Sequence, residues 1–146
     1  MKVLISILVL LPSLGFAAVK RVTDYKSVSC TLSKNETKLE EKKDLNLLLL
    51  SIEDHLGKFA QVAFTDGQTK LQYQLLIEDD VTSKTMDAFV VLQNLKVGDK
   101  EISSEFAAKD LQWASINDGT YKVSCTLSAP QAVVEQAPKV DSATHD

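Results

Sequence analysis

The chain has 146 residues, 16 Lys and Arg against 20 Asp and Glu, a formal charge of −4, and a 45% hydrophobic content. That is enough apolar material for one packed domain and excludes an extended, highly charged coil. Lys and Glu are mixed along the chain and form no basic stripe for phosphate, so nucleic acid is not an expected partner.

Met1-Lys2 opens the chain with positive charge, Val3 to Leu14 is almost wholly aliphatic, and Gly15-Phe16-Ala17 puts small residues where a signal peptidase reads. The apolar run is shorter than the ~20 residues a spanning helix requires, so residues 1–17 read as a signal peptide and not an anchor. Removing it takes Lys2 away and moves the net charge from −4 to −5. The expected product is a soluble periplasmic or secreted monomer without membrane insertion. Residues 18–128 then form a single β domain, and 129–146, with two prolines and no aromatic residue, a disordered C-terminal tail.

Val-Ser-Cys-Thr-Leu-Ser occurs at Val28–Ser33 and again at Val123–Ser128. In both copies apolar residues alternate with Ser and Thr, the period of a half-buried strand, and both cysteines fall on the apolar face. Two such strands side by side bring Cys30 and Cys125 to bonding distance, and an exported chain with two cysteines has one intramolecular connectivity. No Cys-x-x-Cys pair is present, so the bond is expected to be structural. Nothing else in the chain echoes the repeat, which reads as a local match.

The charged segment Lys34–Lys43 reads as an exposed loop and strand approach. Next, Leu45, Leu48, Leu49, Ile52 and Leu56 fall at helical spacing, with Asp44 as N-cap and Gly57 as stop, so a short helix around 44–56 is one reading. The other is a continuous buried strand over Leu45–Leu50 and a turn through Glu53-Asp54-His55. Flanking hairpins favour the strand, because consecutive elements usually pair. Thr65-Asp66-Gly67-Gln68 separates the run Lys58–Phe64 from the alternating run Leu71–Ile77, which predicts a hairpin. Asp79–Ser83 breaks the pattern. Val97-Gly98-Asp99 then joins Met86–Leu95 to Glu101–Phe106, and Asn117-Asp118-Gly119 joins Leu111–Ile116 to Tyr121–Leu127. The fold class is all-β, an antiparallel β-sandwich or small β-barrel of about eight strands with first and last joined by the disulfide.

Chemistry-bearing residues are few. His145 lies in the tail, and His55 is expected as a solvated turn residue beside Asp54. No Gly-x-Ser-x-Gly elbow or Ser-x-x-Lys is present. With both cysteines bonded, too few ligands remain for zinc, and the Asp-x-Asp-x-Asp-Gly spacing of a calcium loop is missing. No catalytic residue, metal or cofactor is therefore expected. Glu78-Asp79-Asp80 reads as a solvated acidic loop; Glu78 and Asp80 as a glycosidase-like pair is the enzymatic alternative. Asn35-Glu36-Thr37 is a formal glycosylation sequon. Trp113 is expected in the core or at its rim, on one strand face with Leu111.

The expected function is an exported non-enzymatic β-domain binding a protein or cell-envelope component. The alternative is a small apolar-ligand carrier whose barrel interior is lined by Tyr73, Leu75, Phe89 and Trp113.

Overall fold

A computed structural model describes residues 21–80 and 88–128; the segments read as a signal peptide and as a C-terminal tail, and the start of the run from Met86, lie outside them. After a 3-10 turn over Val22–Asp24 come nine strands: β1 (Ser27–Lys34), β2 (Thr37–Asn46), β3 (Leu48–Ile52), β4 (His55–Asp66), β5 (Thr69–Asp79), β6 (Phe89–Val97), β7 (Lys100–Ala108), β8 (Trp113–Asn117) and β9 (Tyr121–Ser128). They form two antiparallel sheets, one in the order β2-β1-β9-β8, the other β3-β4-β5-β6-β7. The fold is a β-sandwich.

The sandwich follows from alternation. Val28, Cys30 and Leu32 on β1, Val123, Cys125 and Leu127 on β9, and Ala114 and Ile116 on β8 turn inward from the smaller sheet. Val62 and Phe64, then Leu71, Tyr73, Leu75 and Ile77, then Phe89, Val91 and Leu95 turn inward from the larger. Tyr25 closes one end of this core, its ring meeting Phe89 edge-on at 5.5 Å. Cys30 stands directly opposite Cys125 in the β1–β9 register and is bonded to it.

Turn chemistry sets the hairpins. Gly67 and Gly98 occupy the first loop positions at φ +59° and +58°, a conformation L side chains rarely adopt, in the two-residue turns joining β4 to β5 and β6 to β7. Between β8 and β9, Asn117 Oδ1 accepts from the Gly119 amide at 2.8 Å, and Asp118 Oδ1 accepts from Thr120 and Tyr121 at 2.8 and 2.7 Å. These side chains stand in for backbone partners that a tight turn removes.

Four expectations are corrected. The charged segment after Lys34 is strand β2, which takes its backbone bonds from β1. Residues 44–56 hold no helix: β2 bulges where Ser29 alone faces Lys43 and Asp44, Asp44 adopts φ +53°, and its amide bonds Ser29 Oγ at 3.0 Å. The chain then passes to the other sheet through buried Leu47, whose amide bonds Lys26 O at 3.0 Å. Strand β3 is not buried. It is an edge strand, with Leu48, Leu49 and Leu50 exposed by 60%, 54% and 36%. Glu78 and Asp79 belong to β5 and not to a loop; Asp79 Oδ1 accepts the Val22 amide at 3.0 Å.

Candidate binding surfaces

Groups that titrate hold the fold together. His55 opens β4 instead of lying solvated in a turn: its side chain is 18% exposed, with Nδ1 3.3 Å from Asp54 and Nε2 3.4 Å from Glu78 on β5. The Asp54 hydrogen bond is the largest influence and raises the His55 pKa, burial opposes it, and Glu78 adds to the rise. Glu78 is thus engaged with His55, an ion pair tying the β3–β4 turn to β5. Asp66, at the end of β4, accepts from Lys34 Nζ at 2.8 Å and from the Tyr121 hydroxyl at 2.7 Å, joining one sheet to the other. Those two hydrogen bonds hold its carboxyl below the usual range. No group of three or more His, Cys, Asp or Glu among the described residues is placed to hold a metal ion.

The four residues expected to line an interior cavity are not brought together. Tyr73, Leu75 and Phe89 pack within the core, whereas Trp113 points outward from β8 and is 68% exposed. The inward places on β8 go to Ala114 and Ile116, so strand parity leaves the indole outside. Trp113 borders a hollow of about 340 Å³ with Phe106, Ala108 and Leu111, where the edges of the two sheets approach. Inside the core one polar link crosses the sandwich: Tyr73 donates to Gln93 Oε1 at 2.8 Å, and Gln93 Nε2 donates to Ser115 O at 3.0 Å.

The outer face of the larger sheet is unusual in being apolar along one cross-strand row. Leu48, Phe59, Leu76 and Leu92 stand opposite one another on β3, β4, β5 and β6, and Glu105 ends the row on β7. Phe59, Leu76 and Leu92 floor a hollow of about 410 Å³ walled by Gln74, Asn94 and Glu105. Gly57 lets Ile52 fold across the same face; a Cβ there would come within 2.8 Å of Ile52 Cδ1 and 3.3 Å of Leu76 Cδ1.

No protein family, curated protein or solved structure matches this chain. No helix among the described residues is long and apolar enough to cross a membrane. Any functional assignment therefore rests on the surfaces themselves. The apolar row could not be found from sequence because it joins residues from strands whose pairing no local pattern states. The leucine run was visible, but not its position at an edge.

Proposed function

We propose that this chain is an exported, non-enzymatic binding domain whose partner is a protein. The partner adds an extended apolar segment to the β3 edge, where a side chain in register with Leu48 continues the Leu48–Phe59–Leu76–Leu92 row. One observation carries the reading: β3 is a terminal strand without a charged residue and with three exposed leucines. An edge strand offers unpaired amides and carbonyls, which proteins commonly protect with charge. Of the other three edges, β8 is likewise uncharged but turns its aliphatic residues Ala114 and Ile116 into the core, and two carry charge. β2 carries Lys38, Glu40, Glu41, Lys42, Lys43 and Asp44, and β7 carries Lys100, Glu101 and Glu105. Addition of a strand gives affinity through main-chain bonds and selectivity through alternate side chains, and Leu48 and Leu50, on one face of β3, would be apolar neighbours for those.

Selection of random twelve-residue peptides on the disulfide-intact domain tests this. The expected winners alternate apolar and polar residues, slow amide exchange over Leu48–Ile52, and bind at least tenfold more weakly to Leu48→Lys and Leu50→Lys variants that remain folded. Winners that leave β3 exchange unchanged, or bind both variants undiminished, would defeat the proposal.

A further inference from the structure

The outer face of the smaller sheet has the opposite chemistry. Ser27, Ser29, Thr31 and Ser33 on β1 and Ser124, Thr126 and Ser128 on β9 all turn outward, with Lys122 the one outward residue of these strands that is not a hydroxyl. Strand register arranges them in rows with β8: Trp113 beside Thr126 and Ser29, Ser115 beside Ser124 and Thr31, Asn117 beside Lys122 and Ser33. Trp113 thus stands at one end of a hydroxyl-covered sheet with its indole in solvent. At the other end the β1–β2 and β8–β9 turns meet through the Asn35 amide and Thr120 O at 3.0 Å. They enclose a polar hollow of about 660 Å³ lined by Asn35, Glu36, Asn117, Thr120 and Lys122, among others.

Glu36 adds a second argument. The β1–β2 turn has two residues, Asn35 at φ +47° and Glu36 at φ +68°. That geometry favours Asn followed by Gly, and a carboxylate-bearing residue at the second place is strained. Glu36 nevertheless lines the hollow.

We propose that this face binds an oligosaccharide. A pyranose ring has an apolar C–H face and a rim of hydroxyls; an exposed indole stacks on the first, and planar amides, a carboxylate and an ammonium group bond the second. Apolar walls would suit a lipid, and several free cations a phosphate chain; over β1, β9 and β8 this face has one Trp, many hydroxyls and one Lys, and on β2 the outward Lys38 and Lys43 are both paired with Glu41. Trp113 and Asn117 are four residues apart on one strand, about 13 Å at strand rise, so the site fits a short chain of rings and not a single sugar.

Trp113 is the chain's only tryptophan, so its fluorescence reports the site directly. Chitotetraose, cellotetraose and maltotetraose are titrated separately into the intact protein. A saturable shift or quenching with at least one of them is expected, with binding weakened at least tenfold in Glu36→Gly and in Lys122→Ala. Calorimetry on Trp113→Ala, checked for fold by circular dichroism, is expected to show no binding to the same sugar. An unchanged spectrum with all three at millimolar concentration overturns the proposal. So does saturable binding that Glu36→Gly and Lys122→Ala leave intact, since the hollow would then play no part.

Discussion

Tyr73 carries a hydroxyl into the apolar core, and the structure answers it with Gln93, itself tied to Ser115 O across the sandwich. Removing the hydroxyl leaves Gln93 Oε1 buried without that donor, so Tyr73→Phe should cost about 1–3 kcal/mol in urea unfolding. A loss below a few tenths would mean the link is not formed. Burial also lifts the Tyr73 phenol well above its usual range. Its effect on stability is therefore absent below about pH 10 and unfavourable above it, where only the unfolded chain ionises. His55 works near neutrality. With its pKa raised above 6.5 by Asp54 and then Glu78, its contribution is fully present below pH 6.5 and lost as pH rises through the folded value. The Asp54 carboxyl is lowered by the same contact, which sets an acid limit. An NMR titration should give His55 a midpoint above 6.5 that falls in Glu78→Gln; a midpoint at or below 6.5 would remove the ion pair.

Two adjacent edge strands, β2 and β3, show opposite solutions to the same exposure. On β2, Glu40 and Lys42 oppose the inward residues Leu32 and Cys30, so charge points toward the sandwich margin. Lys42 lies 5.9 Å from the Phe64 ring centroid and 3.5 Å from Glu40, while Lys38 pairs with Glu41. Such edges resist pairing with another chain. β3 has none of this. Because Leu48 is largely in water, charging it should alter stability by no more than about 0.5 kcal/mol. The Leu48→Lys variant can therefore separate binding from folding; a large drop in its unfolding midpoint would show instead that Leu48 supports the sheet.

At the scale of the molecule, the disulfide joins the two central strands of the smaller sheet across a separation of 95 residues. Closing so long a loop restricts the unfolded chain, and removal of a native disulfide typically costs 2–5 kcal/mol. Cys30→Ala with Cys125→Ala should lower the unfolding midpoint by that order while leaving the β-type circular dichroism intact, because β1 and β9 stay paired over eight positions. An unchanged midpoint would show that pairing alone already fixes the two strands. The sandwich also separates the two proposed surfaces: β3 and its leucine row belong to one sheet, Trp113 and the hydroxyl rows to the other.

Much of this architecture was legible without coordinates. Alternation in Leu71–Ile77 and Tyr121–Leu127, the Asp-Gly and Val-Gly-Asp turns, and the repeated cysteine strands are local patterns, and local patterns directly express which face a strand buries and where it reverses. Strand β2 was not legible, because an edge strand's backbone bonds come from a neighbour and its charged side chains say only that water is near. The leucine run of β3 suited helix, buried strand or edge alike; pairing with β4 on one side alone decided it. Trp113 reversed the simplest expectation because Ala114 and Ile116 hold the inward places on β8. By itself the sequence determined the strand class, most turns and the disulfide, since each depends on residues near in the chain or on a single possible pair. Sheet order, edges and outer faces were decided only by tertiary structure, because they depend on which distant strands come to lie side by side.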